Sequence, residues 1–494
     1  MGSKILHYIQ AGYPALFLVS PEEQRVEAEL KIVLAHLDKY SLCYWSVVDG
    51  LVDTATKQIN NCNDALEVLQ AIHEQKERTI TLLKDYHLHL EDPNPILLRK
   101  LKDVLLDAKT KQKTLLILGC RLVLPPELER EITVLEFGLP RKVELQSVLQ
   151  GILESANIQI SERDAVLDAA SGLTTMEAEN AFALSYVQTK TIEPKLVAKE
   201  KALAVKKNGL LELIEPNENL DSIGGLDVLK DWLLKRKQAF TPKAQVYGLP
   251  APKGLLILGV AGTGKSLTAK ATSTVFNVPL LKLDAGKIFA SLVGQSEANL
   301  RSVIQTAEAI APCVLWIDEL EKGFSGSKSS GSTDGGTSAR VFGSFISWMQ
   351  EKKSAVFVVA TANDVSQLPP ELLRKGRWDE LFFVDLPNET EREAIWKIQI
   401  QKYRRDPTEY DTQQLARITE GFTGAEIEAV FVEALFAAFD LDREPTDLTI
   451  ASVLNDFVPL SRLMKEQIEG LRKWSSGRAR TATSSTAEKK LRRL

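Results

Sequence analysis

The segment GLLILGVAGTGKS, residues 254–266, decides how the chain is read. Its first five residues are an unbroken apolar run, the mark of a strand buried on both faces of a parallel sheet. The run breaks at Gly259 into a glycine-rich turn, and helical spacing resumes after Ser266. Gly259-Val260-Ala261-Gly262-Thr263-Gly264-Lys265-Ser266 fits GxxxxGK[S/T] at every fixed position. Each residue type has a physical reason. Gly262 and Gly264 let the backbone turn and approach phosphate oxygens without side-chain obstruction. The loop amides and the helix N-terminus behind them point partial positive charge at those oxygens. Lys265 supplies a full charge to the β- and γ-phosphates, and the Ser266 hydroxyl is a magnesium ligand.

Working outward, further short apolar runs follow at Pro279–Leu283, Val314–Ile317, Val356–Ala360 and Leu381–Val384. Helical patterns fill the gaps, among them Glu297–Ile310 and Thr337–Glu351. Strand alternating with helix predicts an α/β fold, a parallel sheet covered on both faces. From Glu391 to about Trp474 helical patterns dominate. A large α/β subdomain over 221–390 and a small helical lid over 391–474 are expected.

Three more clusters carry chemistry. In Val314-Leu-Trp-Ile-Asp-Glu319 an apolar strand delivers carboxylates to its C-terminal edge, where ligands of open α/β sheets bind. Asp318 is placed to hold magnesium through water, and Glu319 to orient and deprotonate an attacking water. Asn363, ending Thr361-Ala-Asn363, can hydrogen-bond the γ-phosphate or that water. Arg374 and Arg377, in Leu372-Leu-Arg-Lys-Gly-Arg-Trp-Asp379, are planar donors suited to charge on a transferring phosphoryl group, and equally to surface ion pairs.

The first 187 residues hold no phosphate loop, yet landmarks recur in the same order. Ala15–Val19 parallels Leu255–Leu258, and Ile80–Asp85 parallels Cys313–Asp318. LPPEL at 124–128 is repeated at 368–372. Phe137–Pro140 parallels Val384–Pro387, and Gly172–Phe182 parallels Gly421–Phe431. Five ordered matches predict a duplicated unit, α/β over 1–150 and helical over 151–187, that has lost its chemistry. Ser20-Pro-Glu-Glu-Gln-Arg25 stands where the phosphate loop belongs, and Tyr86 where Glu319 does. An acidic loop without lysine repels a triphosphate, so no hydrolysis is expected there. His87 and His89, on an expected strand, share a face but lack a third ligand and are read as structural or surface residues. Residues 188–220 are a Lys-rich linker, and 475–494 a flexible tail with six Lys or Arg against one Glu.

The 494-residue chain carries 61 Lys plus Arg against 66 Asp plus Glu. A net charge of -5 argues against a nucleic-acid coat over the whole surface. Apolar runs such as Ser354–Asn363 are too short to span a bilayer, and no export signal opens the chain. The four scattered cysteines form no CxxC pair, which excludes a disulfide framework and fits a reducing interior compartment.

Taken together, these motifs resemble the AAA+ ATPases, within them the AAA clade, from about Asp221 to Trp474. The resemblance implies ATP and Mg2+ as ligands. It brings Ile223 and Gly224, of Asp221-Ser-Ile-Gly-Gly-Leu226, to the adenine, and Leu267 to the nucleotide beside Ser266. It matches Gly424-Ala425 to the clade's lid pair, which stands where other groups have a lid arginine. It also implies that Arg374 and Arg377 act on a neighbouring subunit's ATP, hence a homo-oligomeric ring, as a rule a hexamer, that remodels a macromolecule. The whole chain is similar to a narrower AAA-type family of cyanobacteria and red-lineage plastids. That likeness implies the cytoplasm or plastid stroma and a role in photosynthesis or carbon use. Leu292 and Val293 stand where protein-threading relatives carry a pore aromatic, which weakens threading as the mode of action. Two other readings stay open: an ATP-gated assembly module, and a nucleic-acid remodeller working through the basic tail.

Overall fold

A computed structural model of the chain describes residues 2–207, 209–215, 218–289, 295–324, 335–374 and 376–484. The chain divides into two compact units, Met1–Val197 and Ala198–Leu494. The first holds strands β1 (Ala15–Val19), β2 (Ser41–Ser46), β3 (Gly50–Asp53), β4 (Ile59–Asn60), β5 (Thr79–Lys84), β6 (Thr114–Gly119) and β7 (Thr133–Glu136). They form one sheet in the order β4-β3-β2-β5-β6-β1-β7. Only the β2–β3 and β3–β4 pairs are antiparallel. The apolar runs are explained by burial on both faces. Leu16, Leu18, Leu116 and Leu118 enter one core, while Ala15, Phe17, Leu115 and Ile117 enter the other.

The second unit holds β8 (Leu211–Ile214), β9 (Gly254–Gly259), β10 (Leu280–Leu283), β11 (Cys313–Ile317), β12 (Val356–Ala362), β13 (Glu380–Val384) and β14 (Arg480–Thr481). Their order is β14-β13-β9-β12-β11-β10-β8. The run β13-β9-β12-β11-β10 repeats the order β7-β1-β6-β5-β2 of the first unit, strand for strand. The paired landmarks fall on matching strands: Ala15–Val19 on β1 and Leu255–Leu258 on β9, Ile80–Asp85 on β5 and Cys313–Asp318 on β11. Here too alternate residues serve opposite faces, with Leu256 and Leu315 in one core and Ile257 and Trp316 in the other. The helices Glu389–Lys402, Thr412–Ile418, Gly424–Phe439 and Asp447–Asn455 follow, and the first three pack around Trp396, Val430 and Phe431. Among the described residues no helix is long and apolar enough to cross a membrane.

The structure differs from the sequence reading at two joins. The stretch read as a solvated linker over 188–220 contains a helix, Pro194–Lys207, with Val197, Lys201 and Val205 buried, and then β8. β8 adds antiparallel to β10 and covers the sheet edge, which supplies partners for backbone groups that an open edge leaves unpaired. The tail is the second. Residues 480–484 are packed, with Ala482 1% exposed. The Ala482 amide donates to Phe383 O (2.9 Å), and its carbonyl accepts from the amides of Val228 and Leu229 (3.0 and 3.1 Å). Those amides open the helix Asp227–Arg236 and have no partner inside it, so the tail caps the helix. Four of the six tail charges lie in 485–494, outside the described residues.

Candidate nucleotide site

The loop after β9 takes a shape only glycine accepts comfortably. Gly262 and Gly264 sit at φ 77° and 88°. A Cβ on Gly262 would stand 2.9 Å from Thr423 Oγ1, so the loop is also closely covered. The helix Lys265–Phe276 starts directly behind it. Lys265 is 6% exposed, and its Nζ donates to Gly259 O (3.0 Å) and Val260 O (2.6 Å). Two of its three N–H donors are thereby used to aim the third. Burial pushes this ammonium down to about 8, against the opposing pull of the Glu321, Asp318 and Glu319 carboxylates.

The acids stand at the carboxyl end of β11. Asp318 Oδ1 accepts from Ser266 Oγ (3.2 Å) and from Thr361 Oγ1 (2.6 Å). Glu319 turns into the left-handed region at φ 49°, and its amide donates to Thr361 Oγ1 (3.1 Å). Its carboxylate lies between Lys322 Nζ on Oε2 (2.5 Å) and Asn363 Nδ2 on Oε1 (3.5 Å). The Asn363 amide donates to Glu321 Oε1 (3.0 Å). Glu321 is 7% exposed, its Oε2 has no hydrogen-bond partner, and burial pushes its carboxyl above the usual range.

A cavity of about 430 Å³ opens here. It brings together Ile223, Gly224, the loop residues Ala261 to Leu267, Asp318, Glu319, Asn363, Gly424 and Ala425. Gly259 and Val260 lie beneath the loop and act through their carbonyls. The lid reaches the loop directly, since the Ala425 amide donates to Gly262 O (3.1 Å). Thr423 caps the lid helix Gly424–Phe439 in a capping box with Glu426, which fixes where Gly424 and Ala425 fall.

Sequence reasoning missed several groups in and beside this cavity. Thr361 lines the cavity and Glu321 accepts from the Asn363 amide, and neither stands out in the sequence. Ile395, Ile398, Gln399 and Glu428 also line the cavity. The lid residues sit on amphipathic helices whose inward face is apolar in any case, so no local signal separates pocket from core.

Arg374 and Arg377 do not line the cavity. Asp379 Oδ2 accepts from the amides of Lys253 and Gly254 (2.8 and 3.0 Å), and Lys253 Nζ donates to Gly376 O (2.9 Å). These bonds bolt the arginine segment to the start of β9, while the phosphate loop leaves its end. β9 spans about 17 Å, more than an arginine side chain reaches. Arg374 is exposed, and Arg377 is half-buried with Nε lacking a partner. Leu292 and Val293 lie outside the described residues.

At the matching place in the first unit, the chain supplies its own anion. The Glu22 carboxylate accepts from Thr175 N (2.7 Å) and Oγ1 (2.8 Å) at the start of the helix Thr175–Thr189. Its other oxygen accepts from Arg25 Nη1 (2.7 Å). Tyr86, in the position of Glu319, is fully buried with its hydroxyl on Ala65 O (2.9 Å). The strand expected to carry His87 and His89 is instead a 3₁₀ turn, Tyr86–Leu90, with His87 buried and His89 against Trp45 and Tyr86. Among the described residues no three His, Cys, Asp or Glu gather as a metal site.

Comparison with known proteins accounts for both units. Residues 255–386 match the model of the AAA family, the ATPases associated with various cellular activities, and residues 409–449 match the AAA+ lid domain. Residues 1–137 and 143–208 match the N-terminal and second domains of SpoVK-like AAA ATPases. The chain is 41% identical to an uncharacterized AAA domain-containing protein ycf46 of Trieres chinensis, over 97% of its own length and 98% of that protein. The chain belongs to the AAA ATPase family. Proteins of the same name from Guillardia theta and Pyropia yezoensis are 40% and 38% identical, each over 96% of this chain and 95% and 98% of their own lengths. The AAA fold explains why cavity, lid and carboxylates meet at one end of the sheet, and the SpoVK-like assignment covers the unit that lacks a phosphate loop.

Proposed function

We propose that the chain binds Mg·ATP in the cavity after β9 and hydrolyses it to ADP and phosphate, at a site completed by a second copy of itself. The observation that carries this reading is the convergence of Lys265, Ser266, Asp318, Glu319 and Asn363, from three strand ends, on one cavity. The donor set suits magnesium, because a hydroxyl and a carboxylate 3.2 Å apart are hard oxygen ligands that leave room for phosphate oxygens and water. When bound, the ion neutralises phosphate charge and polarises the reacting bond. Lys265 and the loop amides hold the phosphates. Ser266 would ligate the ion with its hydroxyl, and Asp318 would hold it through water. Glu319 takes the proton of the attacking water, and Asn363 orients that water and the terminal phosphate. Ile223, Gly224, Leu267, Gly424 and Ala425 enclose the nucleoside end.

Arg374 and Arg377 stand at the wrong end of the sheet to serve their own nucleotide. We assign them to the neighbouring subunit's, which makes the working unit a closed ring and a hexamer the expected size. Cycles of lid closure against Gly262 then drive remodelling of a macromolecule. The deciding experiment is Glu319→Gln. It is expected to bind ATP as the wild type does and to lose at least about 100-fold in turnover. Full turnover in that variant would remove Glu319 from the chemistry.

A further inference from the structure

The side chain that ties the two acids together opens the stretch Thr361-Ala-Asn363, in which the sequence reading gives a role to Asn363 alone. Thr361, near the end of β12, is 1% exposed. Its hydroxyl donates to Asp318 Oδ1 at 2.6 Å and accepts from the Glu319 amide at 3.1 Å. Its one donor hydrogen and an acceptor site are thus spent on two consecutive acids. The Glu319 backbone pays for its direction. A left-handed φ of 49° is strained for a non-glycine residue, and it persists only when neighbours hold it. The amide that this turn presents is the one Thr361 receives. Strand alternation supplies the rest of the argument. Thr361 and Asn363 are two residues apart, so one strand end delivers both polar groups to the same face, opposite the end of β11. β11 and β12 are paired in register up to Ile317 and Ala360, so the residues that continue each strand meet directly.

We propose that Thr361 is a positioning residue for ATP hydrolysis: it aims the Asp318 carboxylate at the magnesium position and holds the backbone turn that directs Glu319. This rests on the cavity being the Mg·ATP site. It adds a division of labour within β12, with Asn363 facing the reacting water and Thr361 setting the two carboxylates.

The test uses the full chain with Thr361→Val, which keeps the shape and removes the hydroxyl, and Thr361→Ser, which restores it. Groups that orient metal ligands are typically worth about 10- to 100-fold in metal affinity or activity. Thr361→Val is therefore expected to need about tenfold more Mg2+ for half-maximal turnover and to lose about 10- to 100-fold in kcat. Binding of a fluorescent ATP analogue in EDTA should be unchanged. Thr361→Ser is expected to recover both properties to within about threefold. A purely structural role would lower thermal stability without moving the Mg2+ requirement, and would overturn the proposal. So would a serine variant as impaired as the valine variant. If Thr361→Val does not fold, the comparison passes to Thr361→Ala against Thr361→Ser, with the same readouts. If the wild type shows no turnover sensitive to Glu319→Gln, the nucleotide reading itself fails and this inference falls with it.

Discussion

Glu319 is restrained from two sides, by Lys322 and by Asn363. Lys322 lies three residues on, within the same turn, and its ammonium holds Oε2 at 2.5 Å. Both partners are substantially exposed, at 40% and 65% of their side-chain surface. An exposed pair of this kind is screened by solvent and weak. The restraint is therefore light, enough to park the carboxylate and weak enough to yield when a water and phosphate arrive. Lys322→Ala is expected to raise basal turnover by up to about fivefold, with nucleotide affinity unchanged. A drop in turnover, measured by phosphate release, would assign Lys322 to the substrate instead. Glu319, Asn363 and Lys265 were legible in the sequence because spacing from the phosphate loop marks them. Thr361 and Glu321 were not, because a Thr in a strand and a Glu after an acidic pair are ordinary residues until the backbone is folded.

At the scale of elements, the strand β14 is the clearest departure from the sequence reading. It is two residues long, yet the segment it opens touches three places. Ala482 bridges β13 and the helix Asp227–Arg236, Ser484 bonds Asp227, and the Thr483 hydroxyl donates to Glu391 Oε1 at 2.6 Å. Glu391 in turn accepts from the Leu226 amide (3.1 Å), next to the segment that borders the cavity. Removing residues 480–494 leaves the helix start uncapped and one lid contact open. The six hydrogen bonds lost with it, at about 0.5–1.5 kcal/mol each, predict a destabilisation of about 3–9 kcal/mol in the second unit, read from urea unfolding. An unchanged midpoint would show that the segment is passive. At the other end of the sheet, Lys352 sends its ammonium to the carbonyls of Val356 and Pro252. Burial pushes it down to about 8. The unfolded chain has it near 10.4, so between these values the unfolded state holds the extra proton and stability rises with pH. Relative to Lys352→Met, the wild type should gain about 2 kcal/mol between pH 7.5 and pH 10. A gap that does not change with pH would mean that the folded chain keeps this lysine charged.

At the scale of the whole molecule, the two units share a strand order and differ in what closes them. In the second unit the lid amide of Ala425 meets the glycine-rich loop at Gly262 O, beside the cavity. In the first, Glu22 brings the anion from within the chain and binds it to the start of the corresponding helix, so that place is already filled. The arginines of the second unit do not line its cavity, and on the proposed reading a second copy supplies them. Mixing Glu319→Gln with Arg374→Ala protein tests this directly. Each is expected to be inactive alone. In randomly mixed rings about a quarter of the interfaces pair an intact Glu319 with an intact Arg374, and turnover should return in that proportion. No recovery, with mixed assembly shown by native mass measurement, would mean that the arginines act elsewhere.

The local sequence by itself determined the phosphate loop, the acidic strand end, the alternation of strand and helix, and the repeat of landmarks across the two units. Each of these is written in residues close together, where glycine geometry, charge and apolar periodicity leave few options. What only the tertiary structure decided lies between distant segments. Ala482 caps a helix more than 240 positions earlier, β8 closes a sheet edge from within a lysine-rich stretch, and Thr361 joins two acids more than 40 residues before it. The physical reason is common to all three. A hydrogen bond needs only one donor and one acceptor, so a Thr, an Ala carbonyl or a short strand edge carries no pattern until folding brings its partner within reach.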